Sequence, residues 1–191
     1  MTSTETEAVP DRYRRLAQRL TDRVEAVPAN KWDTASTCAG WTVRDVVVHL
    51  VDTQRGAVEP VGLSIPEGPS PGGNPTAAWV FTRNAVQDIL DDPKRAHLEY
   101  DGHFGPTDLA SSIGSFYSLD LIVHAWDIAH PLGLDDTIED RDLDFVEHFV
   151  AQMGDNIRMD GVCGPAVEVP DDADRQTKVL AQLGRATRPS L

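Results

Sequence analysis

Apolar residues recur at three- and four-residue spacings in several separate stretches of the chain, the period of helices that bury one face. In residues 10–26 they are Tyr13, Leu16, Ala17, Leu20 and Val24, with Pro28 closing the segment. A second helix is expected over 42–55. Thr42 and Asp45 stand three apart as in a capping box, the acid replacing the usual Glu, and Gly56 fits the stop. Residues 59–75 are crowded with proline and glycine and predict a long loop, of a length suited to a lid or the border of a site. Asn74 as cap and Pro75 at the first position open a third helix that runs to about Asp92, before Pro93. Residues 96–100 suggest a short extended piece ahead of a turn at 102–105. A fourth helix is expected over 107–130, broken by Pro131 and Gly133, and a fifth over 139–158. Residues 161–170 read as irregular or a short strand, and Asp171 as the cap of a last short helix ending near Gly184. Five or six helices with short connections give an all-α bundle with little β structure.

The 191 residues suit one domain with a full core, spanning 1–191 with a flexible start over 1–9. No apolar run approaches the roughly 20 residues of a membrane span. The first seven residues hold two acids, no base and no apolar segment, unlike a secretory signal. Cys38 and Cys163 show neither CxxC spacing nor a disulfide framework, so a reduced, cytoplasmic protein is expected. The net charge is −14, from 31 acids against 17 bases. Such a field repels phosphate backbones and anionic lipid, which sets nucleic-acid and membrane-surface partners aside.

The fourth helix carries the sharpest chemistry. Asp120 and His124 lie four residues apart, so on a helix they point the same way one turn apart, and Asp127 shares that face. A carboxylate and an imidazole so placed can reach one ion at ~2.0–2.2 Å and suit Zn²⁺, Ni²⁺ or another first-row metal. On the second helix, His49 falls at the edge of the apolar arc formed by Val43, Val46 and Leu50, with Asp45 and Asp52 on its polar side. From there it can enter a bundle cavity as a third ligand, leaving an open position of the catalytic kind. Each signal has an ordinary counterpart. A border histidine is more often a hydrogen-bonded structural one, and Asp120 between Leu119 and Leu121 could pair with Arg44 or Arg83 instead of a metal. Asp127 is placed to take the second N–H of a metal-bound imidazole or to bond nearby backbone. Trp41 and Trp126 read as packing residues. Cys38 precedes a helix start that could stabilise a thiolate, though a buried structural thiol is the commoner case. His103 in its Gly102–Gly105 turn is either an acid–base group or an exposed loop histidine, and His97, His130 and His148 show no informative spacing.

Three motifs then occur in order. The stretch Trp32-Asp33-x-x-Ser36-x-Cys38-x-Gly40-Trp41-Thr42-Val43-Arg44-Asp45-x-x-x-His49-Leu50 resembles the opening of the metal-binding domain of mycothiol-dependent maleylpyruvate isomerase. His124-Ala125-Trp126-Asp127-Ile128-Ala129 resembles the HxWDLA signature of a small single-domain branch of that family. Gly164-Pro165-Ala166-Val167-x-Val169-Pro170, with Leu183-Gly184-Arg185 further on, is similar to the end of that branch. The likeness extends over about 10–188. It implies a DinB-like four-helix bundle with one or two extra short helices, and a His plus acid-x-x-x-His ligand set that maps to His49, Asp120 and His124. Asp120 stands where the isomerase has Glu, and the isomerase's separate C-terminal domain has no counterpart, so the metal site is expected to carry over and maleylpyruvate isomerisation is not. The resulting expectation is a divalent-metal protein, with zinc foremost, acting enzymatically on a small molecule with a thiol such as mycothiol as cosubstrate. The competing expectation is a non-catalytic metal- or small-ligand-binding protein on the same fold. Bundles of this kind often form homodimers, although no exposed apolar stripe fixes an interface.

Overall fold

The computed structural model describes residues 7–159 and 163–185. Helix α1 (Val9–Ala26) buries Tyr13, Leu16, Ala17, Leu20 and Val24, the stripe set by their spacing. The start at 1–9, expected to be flexible, is described only from residue 7. Glu7 pairs with Arg15 at 2.8 Å and α1 begins at Val9, while residues 1–6 lie outside the described residues. Helix α2 (Val43–Ala57) opens on the capping box: the Thr42 hydroxyl accepts from the Asp45 amide, and the Asp45 carboxylate accepts from the Thr42 amide. Two orphan donors are thereby satisfied. Residues 59–74 form the anticipated loop, with one 3-10 turn at Glu59–Val61. Helix α3 (Pro75–Leu90) starts at the Asn74 cap, whose side chain accepts from the Ala77 amide, and α4 (Pro93–Ala96) is a single turn.

The bundle is a ring in which α1 and α2 each pack against α3 and α6 (Ser118–Ala129). Two buried polar contacts tie the ring across its interior. The Tyr13 hydroxyl donates to Gln54 Oε1 at 3.0 Å, and Trp79 Nε1 donates to Thr21 Oγ1 at 3.0 Å. Each places an aromatic body in the core while its polar tip finds a partner.

The second half departs from expectation in five places. The extended piece at 96–100 is the first arm of a hairpin, β1 (Glu99–Gly102) and β2 (Gly105–Asp108), paired antiparallel with Tyr100 opposite Thr107. The fourth helix therefore begins at α5 (Leu109–Ser112) instead of 107, because Thr107 and Asp108 are used by the hairpin and Asp108 caps the helix through the Ser111 amide. Between α5 and α6 the helix widens into a π-turn, Ile113–Tyr117. Here α1 approaches so closely that a Cβ on Gly114 would lie 2.7 Å from Val9 Cγ2. Helix α7 (Asp140–Met153) ends before 158, since Gly154 takes a positive φ of 52° and starts a 3-10 segment. The last helix, α8 (Arg175–Gln182), is capped by Asp174 and not Asp171, its Oδ1 accepting from the Thr177 amide at 2.7 Å. Residues 163–170 are irregular. The outcome is a mostly helical, DinB-like all-α bundle with one small hairpin, and no helix of the described residues is long and apolar enough to cross a membrane.

The Tyr13–Gln54 contact lies inside the ring, with both residues fully buried. Tyr13→Phe should lower unfolding free energy by about 1–3 kcal/mol, the cost of an unsatisfied buried acceptor. Urea titration of the two proteins checks this, and equal midpoints would mean that the bond contributes nothing net.

Candidate metal centre

Residues 35–42 fold into a tight loop ahead of α2. Ala35 bridges Thr42, the Ser36 amide donates to the Trp41 carbonyl at 2.8 Å, and Gly40 takes the left-handed φ of 80° that the turn requires. This loop holds Thr37, Cys38 and Trp41 over the face where α2 and α6 meet. The capping box sets the phase of α2, so that Val43, Val46, Val47, Leu50 and Val51 go inward and His49 reaches the border of the core. Helix α6 is buried along almost its whole length, with Asp120 the half-exposed exception.

The two helices bring the expected donors together. The rings of His49 and His124 stand edge to face with centroids 5.1 Å apart, and His49 Nε2 lies 3.9 Å from Asp120 Oδ2. One ligand atom from each of His49, Asp120 and His124 lies within 4.8 Å of the others. Bonds of ~2.0–2.2 Å in tetrahedral geometry require donor separations of ~3.3–3.6 Å, so small side-chain shifts close the set on an ion. The three line a cavity of about 550 Å³, together with Trp41, Tyr117, the two cysteines and Arg185. The Asp120 side chain keeps 33% of its surface exposed, toward this space. Neither arginine that could have neutralised it does so: Arg44 binds Asp33 and the Gly72 carbonyl, and Arg83 binds Gln18 and Thr21.

Asp127 sits behind His124 and is fully buried. Its Oδ2 lies 2.8 Å from His124 Nδ1, 3.0 Å from an Arg185 guanidinium nitrogen and 3.2 Å from the Cys38 thiol, while the Thr37 hydroxyl donates to Oδ1. Burial alone would push this carboxyl up; the facing His124 and Arg185 instead hold it well below the usual carboxylate range. Burial likewise works against a charge on His124, but the bond to Asp127 prevails and raises its pKa to about 10. His49 moves the other way, lowered by burial and then by the neighbouring charge on His124. With Nδ1 committed to Asp127, Nε2 is the His124 nitrogen left for an ion.

A second set, Cys38, His124 and Asp127, also has donor atoms within 4.8 Å of one another. Its carboxylate is already occupied by Arg185, Thr37 and His124, whereas Asp120 accepts no hydrogen bond among the described residues. The chemistry of the donors therefore favours His49, Asp120 and His124 as the set able to take an ion, with Asp127 orienting one imidazole.

Several other readings are corrected or extended. Trp126 is a core residue, but Trp41 is 37% exposed and lies over His49, ring centroids 4.9 Å apart, as a wall of the cavity. The loop at 59–74 contributes nothing to the cavity lining; Arg44 and the Phe81 ring hold it elsewhere. His103 is exposed at the hairpin tip and does not line this cavity. Arg185 has no distinguishing spacing in the sequence. It reaches Asp127 because Gly184, with φ of 78°, allows the chain to pass residues 164–165, where a Cβ would meet the Pro165 carbonyl at 2.9 Å.

The fold and this donor set define a DinB-like helical bundle with residues fit to hold a metal ion. A model of the mycothiol maleylpyruvate isomerase N-terminal domain matches residues 13–129, well over half of the chain, and the chain belongs to that family. No curated protein and no solved structure matches it significantly. The matched stretch contains His49, Asp120, His124 and Asp127, whereas Cys163 and Arg185 lie beyond it.

The Asp127–His124 pairing sets the pH dependence of ion binding. A proton on His124 Nε2 persists up to about pH 10 in the metal-free chain and must leave before that nitrogen can ligate. Affinity should fall about tenfold for each pH unit lost below this value. The fall should steepen further at a pH below the ordinary imidazole range, since burial and the charge on His124 lower the pH at which His49 also gains a proton. Calorimetric titration with Zn²⁺ in two buffers of different ionisation enthalpy should count about one proton released per ion near pH 7.5. Release of none would remove His124 from the ligand set.

Proposed function

We propose that this chain binds one divalent metal ion through His49, Asp120 and His124, and that it is a thiol-dependent enzyme acting on a small molecule. The observation that carries the reading is the convergence of three donors without competing partners on a cavity of about 550 Å³, with a buried carboxylate fixing one imidazole from behind. Zinc is the foremost candidate for an N,N,O donor set, with nickel or another first-row metal next. A bound ion would lower the pKa of a thiol or water and present it as a nucleophile. The chain's own residues do the rest. Asp127 keeps Nδ1 protonated and Nε2 turned to the cavity, and Arg185 keeps Asp127 ionised. Trp41 covers one side of His49, and the cavity is of the scale of a small-molecule site, for a substrate with a thiol such as mycothiol as cosubstrate.

A second reading, a non-catalytic metal- or small-ligand-binding protein, draws on one feature of the lining. Among the described residues, its only carboxylate and imidazoles are the three donors themselves. Elemental analysis of the purified chain, followed by turnover screening with and without mycothiol, separates the two. Thiol-dependent turnover supports the enzyme, and stoichiometric metal without turnover supports the binder.

The ligand assignment has a defined order of effects. His49→Ala and His124→Ala should each bring bound metal from about one per chain to near zero, and Asp120→Asn should remove most of it with the fold intact. Undiminished metal in all three, measured by mass spectrometry of the digested protein, sinks the assignment. Asp127→Asn should act differently. It leaves Arg185 facing a neutral amide in a buried setting, a loss of about 3–5 kcal/mol in stability when such pairs are broken. Its metal content should fall less than that of Asp120→Asn. The reverse order would make Asp127 the ligand.

A further inference from the structure

Beside the cavity just described lies a second, of about 500 Å³, between the β1–β2 hairpin and the π-turn. The two cavities share Phe116 and Tyr117, consecutive residues of that turn, which line both. The second differs sharply in chemistry from the rest of an acidic chain. Its walls are Tyr100, Phe104, Phe116 and Tyr117, its polar groups are hydroxyls and His103, and no carboxylate, lysine or arginine lines it among the described residues. A volume of this size, mostly apolar with a few polar groups, is on the scale of a small-molecule site.

Phe104 makes the case specific. It is 54% exposed at the hairpin tip, yet its ring lies parallel to Phe116 with centroids 5.9 Å apart and an interplanar angle of 6°. Phe116 is braced in turn by Phe149, edge to face at 5.3 Å. An exposed ring held in a fixed stacked orientation is a ready surface for another flat ring. Tyr100 spends its hydroxyl on Ser112 at 2.7 Å, while the Tyr117 hydroxyl makes no hydrogen bond among the described residues. A residue with an unpaired polar group thus lines both the aromatic cavity and the cavity of the metal donors.

We propose that the second cavity receives the planar apolar end of the small molecule whose polar end reaches His49, Asp120 and His124. The assignment rests on the metal-site reading for the polar end and on Phe104 and Phe116 for the apolar end. Among ligands of the stated size, the aromatic walls select an apolar ring system, and the lining residues common to both cavities place its other end beside the donors.

The test uses the full chain and two kinds of probe. N-phenyl-1-naphthylamine, a neutral fluorescent ring system, should bind the wild-type protein saturably. Phe104→Ala removes a half-exposed ring at a hairpin tip, so folding, checked by circular dichroism, should be unaffected. It should weaken binding roughly five- to tenfold, the worth of a lost aromatic contact and its burial, whereas Phe104→Tyr should restore it to within about twofold and His49→Ala should leave it unchanged. Absence of saturable binding, or equal affinity in Phe104→Ala, overturns the proposal. In the zinc-loaded chain, 4-phenylbutanohydroxamic acid should bind at least about tenfold more tightly than acetohydroxamic acid, and Phe104→Ala should abolish that advantage without altering acetohydroxamate affinity. Equal affinity of the two hydroxamates in wild type also overturns it. A chain that holds no zinc yet binds the naphthylamine through Phe104 refutes the metal reading and keeps the aromatic subsite; a chain that holds zinc but ignores Phe104 does the reverse.

Discussion

The contact between Asp127 and His124 organises this molecule. A carboxylate with no exposed surface is costly to ionise, and this one is stabilised by an imidazole, a guanidinium, a thiol and a hydroxyl at once. Those donors come from α6, from the loop before α2 and from the segment after α8, so one buried charge holds three parts of the chain together. It also turns His124 so that Nδ1 faces inward and Nε2 faces the cavity, which is what an ion there would need.

The same helix thereby presents two carboxylates in opposite circumstances. Asp127 is closed off, its lone pairs taken and its charge balanced. Asp120, seven residues earlier on the same face, opens onto the cavity and is met by His49 at 3.9 Å. Two helical turns separate a group that sets the geometry from a group able to ligate. The π-turn just upstream has a parallel effect, since its Phe116 and Tyr117 line both a donor-lined cavity and an aromatic one.

Much of this was legible along the chain. The helix phases of α1, α2 and α6 follow from their apolar spacing, the start of α2 from Thr42 and Asp45, and the start of α3 from Asn74 and Pro75, all local effects acting within a turn of helix. Where nonlocal contacts decide, the reading was less sharp. The fourth helix began late because a hairpin took its first residues, and the last was capped by Asp174 because Asp171 lies in the turn before it. Trp41 looked like core by residue type, but the Gly40 turn places it on the cavity wall.

The sequence by itself determined the helical period, the caps of α2 and α3 and the alignment of Asp120, His124 and Asp127 on one face, because each depends on residues only a few positions apart. Tertiary structure alone decided which acid is free and which is spoken for. Arg185 lies 58 residues from Asp127 and Cys38 lies 89 away, separations at which no spacing rule operates. Their meeting depends on how α2, α6 and the chain after α8 pack, and that packing makes one carboxylate an anchor and leaves the other facing the cavity.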